Sequence, residues 1–240
     1  MTTAKHRFFC ASPNTGILDE DESAHAIRVL RLQAGDAIEL LNGKGERYLA
    51  TITETTKRQV SFELVTAHRQ PVQTPAIHIA IAPTKNIDRF EFFLEKATEI
   101  GLATIHPVLT KNSERKEIKI EKLTKNLVAA MKQSGNLFLP DLAPLRTFKD
   151  FLAGQTDPGA QKFIAHCEED PTKNQLFNLV KPAKNVVILI GPEGDFTPEE
   201  IALAKRAGFL PVSLGETRLR TETAGIVACL TVHLKQSSFH

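Results

Sequence analysis

The 240-residue sequence predicts an α/β protein in two parts, a small β-barrel over residues 1–70 and a mostly parallel sheet with helices over residues 76–240. Three observations predict it. The first seventy residues run in short alternating apolar and polar stretches broken by turn signals, the pattern of small barrels. From residue 76 the pattern changes to apolar strands alternating with helical periods, which is how parallel sheets are built. Between the two, His68-Arg69-Gln70-Pro71-Val72-Gln73-Thr74-Pro75 is polar and carries two prolines. Extended prolyl backbone suits a linker, and we place it at 71–75.

In the first part, Asp36-Ala37-Ile38-Glu39-Leu40-Leu41 leads into Asn42-Gly43-Lys44-Gly45, a hairpin signal. Tyr48-Leu49-Ala50-Thr51-Ile52 and Gln59-Val60-Ser61-Phe62-Glu63-Leu64-Val65 alternate as strands. One helical turn is expected around Glu22–Leu30, with Ser23 as its cap. In the second part, Ile77–Ala82, Thr104–Leu109, Phe163–Cys167, Asn185–Ile190 and Pro211–Leu214 read as buried strands. Ile87–Ile100 reads as a helix with Phe90, Phe93, Leu94, Ala97 and Ile100 on one face and Gly101 as its stop. Ile118–Ser134 and Thr223–Leu234 are further helices, the last capped by Thr221 or Thr223. Pro198–Ala207 is a helix capped by Thr197, with Glu200 at the capping-box position.

With 42% hydrophobic and 24% charged residues, the chain has the balance of an ordinary globular protein. No apolar run reaches the roughly 18 residues of a membrane helix, so no membrane partner is expected. Met1 to Cys10 carries basic residues without an apolar core, so nothing marks secretion and a cytoplasmic protein is expected. Cys10, Cys167 and Cys229 are too scattered for a disulfide framework or a zinc knuckle, and the histidines show no ligand spacing, so no metal is expected. Net charge is only +2, yet Lys5, Arg7, Arg28 and Arg31 cluster near the start and residues 111–132 hold seven lysines or arginines. Such clusters meet phosphates even when the total is near neutral, although a solvated helix face shows the same lysines.

Two glycine-bearing loops each leave a strand and enter a helix: Ile190-Gly191-Pro192-Glu193-Gly194-Asp195-Phe196-Thr197 and Leu214-Gly215-Glu216-Thr217-Arg218-Leu219-Arg220-Thr221-Glu222-Thr223-Ala224. Ligands of open α/β sheets bind beyond the carboxyl ends of the strands, and glycine lets backbone approach them. Neither loop matches a dinucleotide or P-loop fingerprint. The residues alone point to a small-molecule site, with two ordinary strand-to-helix turns as the alternative.

Taken together, these motifs resemble the knotted SPOUT methyltransferases, and within them the RsmE-type family. The likeness spans nearly the whole chain: Arg7-Phe8-Phe9, His25-Ala26-Ile27-Arg28-Val29-Leu30-Arg31, Gly35-Asp36, the Asn42–Gly45 turn, Lys85 with Arg89, Glu95-Lys96-Ala97-Thr98-Glu99-Ile100-Gly101, Pro107, Ser113-Glu114-Arg115, Gln133-Ser134-Gly135 and both glycine loops. Two positions depart from the pattern. Asp195 stands where a third glycine is common, and Asn136 where an arginine commonly follows Gln133-Ser134-Gly135.

The resemblance implies an N-terminal PUA-like β-barrel that binds RNA and a C-terminal α/β domain with a deep trefoil knot. It implies S-adenosylmethionine held by Ile190, Gly191, Glu193, Gly194, Leu214, Gly215, Leu219 and Arg220. It further implies a homodimer, with the last helix in the subunit contact, and 16S ribosomal RNA of the small ribosomal subunit as substrate, methylated at N3 of a uridine. That nitrogen carries a weakly acidic proton, so a base or a charge-stabilising cation is needed. Glu222 and Glu193 are the candidate carboxylates and Arg220 the candidate cation. A glutamate at a helix start is also favoured simply by the helix dipole. Arg7, Arg28, Arg31 and Arg115 are the expected RNA contacts. Two other readings use the same motifs: a superfamily relative acting on a ribose 2′-OH or a transfer RNA base, and a non-catalytic ribosome-assembly factor.

Overall fold

A computed structural model describes residues 4–72, 75–154 and 157–237. The chain forms two compact units, Met1–Val72 with Val128–Leu139 and Gln73–Leu127 with Pro140–His240. Of the expected linker 71–75, Gln73 and Thr74 lie outside the described residues.

The first unit is a four-stranded sheet in the order β1 (Arg7–Phe9), β2 (Ala37–Leu41), β3 (Glu46–Thr55), β4 (Val60–Arg69). β1 runs parallel to β2, and the other pairings are antiparallel. The β2–β3 turn forms where the sequence placed it. Asn42 Oδ1 accepts from the Lys44 and Glu46 backbone N–H groups at 2.8 and 3.1 Å, and Gly43 and Gly45 take positive φ. Asn and Gly supply both the local hydrogen bond and the left-handed backbone such a turn needs. Register shifts at Leu49/Ala50 and Ile52/Glu54 mark bulges, which bend and twist a pair of strands. Beyond β4, Ile17 bridges to Ser61, while the Leu18 N–H donates to the Val60 carbonyl and the Phe62 N–H to the Gly16 carbonyl. The sheet wraps a core that includes Phe8, Ile38, Leu40, Ala50, Ile52, Val60 and Phe62.

The helix expected around Glu22–Leu30 starts earlier and changes character. α1 spans Glu20–Ala24 and continues as a wider turn of π type over His25–Val29. Its cap is Asp19, whose side chain accepts from the Glu22 N–H at 2.8 Å, and not Ser23. Ser23 is buried, and its hydroxyl is already used between the Leu18 carbonyl and the Val60 N–H. The carboxylate four residues ahead was free to take the cap position.

The second unit is an eight-stranded sheet in which every strand pairing among the described residues is parallel. Its strands are β5 (Ile77–Ile81), β6 (Thr104–Leu109), β7 (Asp141–Leu142), β8 (Arg146–Thr147), β9 (Gln161–Ala165), β10 (Asn174–Gln175), β11 (Val186–Ile190) and β12 (Leu210–Ser213). The order is β10-β12-β9-β11-β5-β6-β7, with β8 also beside β6. α2 spans Ile87–Ile100 as expected, capped by the Asn86 side chain and closed by Gly101 at φ 110°. Thr98 is buried along with Phe90, Phe93, Leu94 and Ala97, its hydroxyl satisfied by the Leu94 carbonyl, whereas Ile100 is only half-buried. α3 (Ile120–Ser134) is followed by two short helices, α4 (Phe148–Ala153) and α5 (Leu176–Leu179). α6 (Pro198–Arg206) carries the full Thr197/Glu200 capping box. α7 (Thr221–Ser237) opens two residues before its expected start, so Thr221 and Thr223 lie inside it, and the Arg220 carbonyl accepts the Ala224 N–H.

α7 lies against α2 and β5 at a separation only glycine permits. A Cβ on Gly225 would sit 2.7 Å from the Phe93 ring and 3.0 Å from Ile81. That close approach fixes where the start of α7, and the loop before it, stand relative to the strand ends.

Candidate active site

β9, β11 and β12 are neighbours through β9, and all run the same way. Their carboxyl ends therefore deliver three segments to one place: 165–167, 190–195 and 212–221. They surround a single cavity of about 570 Å³. That volume is in the range of small-molecule sites, roughly 300–1,000 Å³. Seven of the eight residues expected to hold the cofactor line it: Ile190, Gly191, Glu193, Leu214, Gly215, Leu219 and Arg220. Gly194 does not. Its carbonyl accepts from Asn112 Nδ2 at 3.0 Å, and a Cβ there would meet the Asn112 Cβ at 3.1 Å.

The first loop is tied from several sides. The Glu193 carboxylate accepts from the Lys85 N–H at 3.0 Å, and its carbonyl accepts from Arg218 Nη2 at 3.2 Å, a bond from the second loop. Asn112 Nδ2 also donates to the Asp195 carbonyl. At Gly191 a Cβ would lie 3.2 Å from the Phe196 ring and 3.3 Å from Asp195 Oδ1, so glycine keeps that wall open.

The sequence reading did not find the third wall. β9 was expected to run on to Cys167, but its pairing with β11 ends at Ala165. His166 and Cys167 leave the sheet and, with Lys173, face the cavity. Lys173 Nζ donates to the His166 carbonyl at 2.9 Å, and Lys205 holds Asp170 at 2.6 Å, keeping its carboxyl well below the usual range. The His166 ring is buried, which pushes its pKa down, with the Lys173 charge adding to the effect. Burial and the neighbouring Asp195 carboxylate push the Cys167 thiol up. The rule of ligands beyond strand ends applied equally to β9. No glycine marks that end, so a search led by glycine passes it over.

The candidate acid–base residues are not all in one place. Arg220 and Glu193 line the cavity. Glu222 is outside the lining. It is buried on α7, one oxygen 4.0 Å from Arg89 Nε and the other without a hydrogen-bond partner. Arg115 is committed to backbone, its Nε donating to the Thr84 carbonyl at 3.0 Å and its Nη2 to the Lys85 carbonyl at 2.7 Å. It thereby steadies the turn whose Lys85 N–H holds Glu193. In the first unit, Arg28 and Arg31 are exposed, and Arg31 takes φ 56°. Arg7 binds Glu39 at 2.6 Å and reaches the Lys132 and Gln133 carbonyls at the end of α3. Asn136 turns inward, its Oδ1 accepting from the Phe138 N–H at 3.0 Å. Among the described residues no helix is long and apolar enough to cross a membrane.

Two family models match this chain: an RNA methyltransferase domain over residues 71–233 and an RNA methyltransferase PUA domain over residues 18–65. A parallel sheet with a cavity at its strand ends, preceded by a PUA-like unit, thus defines an RNA methyltransferase. Ribosomal RNA small subunit methyltransferase E of Rickettsia conorii is 30% identical over 90% of this chain and 88% of its own. The chain belongs to the ribosomal RNA small subunit methyltransferase E family. Solved structures agree. The probable rRNA-methyltransferase of Porphyromonas gingivalis is 37% identical, covering 98% of this chain and 100% of its own with a TM-score of 0.90. Ribosomal RNA small subunit methyltransferase E of Neisseria gonorrhoeae, bound to S-adenosyl methionine, is 26% identical, covering 96% and 98% with a TM-score of 0.86.

Proposed function

We propose that this protein transfers the methyl group of S-adenosylmethionine to N3 of a uridine in 16S ribosomal RNA of the small ribosomal subunit. The observation that carries the proposal is the single cavity built by both glycine loops. The residues present fit the methyl donor. Ile190, Val212, Leu214 and Leu219 offer apolar wall to a nucleoside, Gly191 offers close backbone, and Glu193, Arg218 and Arg220 offer both signs of charge to an amino-acid group.

When bound, the donor supplies an electrophilic methyl group, and the protein's residues do the rest. The target nitrogen is hidden in a paired or stacked base, so the enzyme acts on an extruded or accessible uridine. Arg220, on the cavity wall, neutralises charge developing on the uracil oxygens as the N3 proton leaves. Glu193, on the first loop, accepts that proton, its carboxylate held by the Lys85 N–H. Glu222 lies outside the cavity lining beside Arg89, which leaves Glu193 as the carboxylate next to the substrate in this reading. Arg28 and Arg31, with Arg7, hold surrounding RNA through phosphates.

Two further expectations belong to this reading: a cytoplasmic protein and a homodimer. α7 is apolar around most of its circumference and leaves Leu230 41% exposed, which suits a helix covered on a second side.

The test is to incubate the protein with unmodified small subunits and labelled S-adenosylmethionine, then digest the RNA to nucleosides. The expected product is 3-methyluridine at one position. Label in a ribose 2′-O-methyl nucleoside, or donor binding without transfer to any subunit, overturns the proposal.

A further inference from the structure

Asp195 is one of three non-glycine residues with positive φ, at 60° among the described residues, and lies on the cavity wall. Left-handed backbone disfavours most side chains, while aspartate tolerates it when its short carboxylate bonds locally. Here that carboxylate makes two bonds, one of them local. Oδ1 accepts from the Phe196 N–H at 2.8 Å, and Oδ2 accepts from the Cys167 N–H at 2.7 Å. The second bond spans two strand ends. Cys167 lies past the last paired residue of β9, so its N–H has no sheet carbonyl to use and finds the carboxylate on the β11 loop. Oδ1 would stand 3.3 Å from a Cβ on Gly191, so the side chain lies along the loop floor.

We propose that Asp195 is a positioning residue for cofactor binding: its carboxylate clamps the 166–167 wall to the 191–195 loop and so sets the width of the donor pocket. The inference rests on the reading of this cavity as the S-adenosylmethionine site. A glycine at 195 accommodates the backbone equally well but leaves the Cys167 N–H and the third wall untied. The aspartate thus replaces backbone freedom with a cross-strand tie, and the tie acts on the donor rather than on the RNA.

Asp195→Gly and Asp195→Asn in the full chain test this, with calorimetric titration of S-adenosylmethionine and steady-state kinetics on small subunits. Asp195→Gly is expected to raise the donor Kd and KM roughly tenfold or more, the size of one lost charge-assisted bond. The KM for subunits and kcat at saturating donor should change less than about threefold. Asp195→Asn keeps an acceptor oxygen and should recover part of the loss. A donor KM within twofold of the unsubstituted protein in Asp195→Gly overturns the proposal. So does an equal loss for donor and subunit. Were the glycine variant to melt below the assay temperature, its donor titration is run below its melting point, a Kd within twofold of the unsubstituted protein at that temperature again overturning the clamp. Failure of the unsubstituted protein to bind the donor would instead overturn the assignment of the cavity.

Discussion

The two glycine loops line one cavity but are built differently. The loop at 191–195 is held by Lys85, Asn112, Cys167 and Arg218, and its first two residues are buried. The loop at 214–220 is mostly exposed, tied by the Ser213 hydroxyl bonds at Gly215 and the Arg218 bond to Glu193. A backbone bonded on several sides presents a fixed surface at little further ordering cost on binding. A loop with few ties adjusts as its ligand arrives. On the function proposed above, the difference predicts a division of labour, the tied loop shaping the donor site and the looser one bringing Arg220 to the acceptor. Substitutions in the first should move donor affinity, and those in the second should move turnover.

The largest expected effect comes from Arg220→Ala. If Arg220 stabilises charge on the uracil, kcat should fall on the order of a hundredfold, as for removal of one oxyanion-stabilising donor. Donor Kd, read by calorimetry, should shift only a few-fold. Equal losses in both would make Arg220 a cofactor ligand and erase the contrast between the loops.

Next comes Gly191→Ala, which overpacks the tied loop against the Phe196 ring. Overpacking costs typically about 1–3 kcal/mol, so donor affinity should drop roughly tenfold or more. Turnover at saturating donor should stay near that of the unsubstituted protein. A fall in kcat with Kd unmoved would reverse the roles assigned to the loops.

How far this arrangement was legible in the sequence depends on which physical signal each residue carries. α2 was readable to the residue because helical period and the Gly101 stop agree. The hairpin at Asn42–Gly45 and the Thr197/Glu200 capping box were readable because turns and caps are local chemistry. Seven residues of the cavity lining were named from the family resemblance, and glycine at strand ends pointed to the same two loops. The wall at 165–167 was not legible. Whether β9 stops at Ala165 depends on where its neighbour β11 ends, a tertiary fact. The cap at Asp19 was misplaced because Ser23 fits the local rule while a distant partner, the Val60 N–H, uses its hydroxyl; α7 simply opens two residues earlier than Thr223, its Ala224 N–H donating to the Arg220 carbonyl. The commitment of Arg115 to the Thr84 and Lys85 carbonyls was equally invisible, since an arginine looks the same whether it faces phosphate or backbone.

The smallest expected effect tests the scaffold beneath both loops. His106 and His78 lie side by side on β6 and β5, ring centroids 6.2 Å apart, with Phe151 5.4 Å from His106. Burial pushes the His106 pKa down to about 4 from an ordinary 6.5, with the neighbouring His78 adding to the effect, and burial also lowers His78. Between those two values the unfolded chain binds protons that the folded chain refuses. Stability therefore rises with pH across that window. The contribution is fully present above about 6.5 and is lost as pH falls toward 4. Melting curves at stepped pH from 7.5 to 5 should show a decline of a few degrees, at roughly 2–4 °C per kcal/mol for a unit of this size. His106→Gln, which cannot titrate, should flatten that decline while leaving the donor Kd unchanged, because neither ring lines the cavity. A decline of the same steepness in the variant would place the titrating group elsewhere, and a shifted donor Kd would mean that the sheet beneath the loops, and not the loop ties, sets the shape of the pocket.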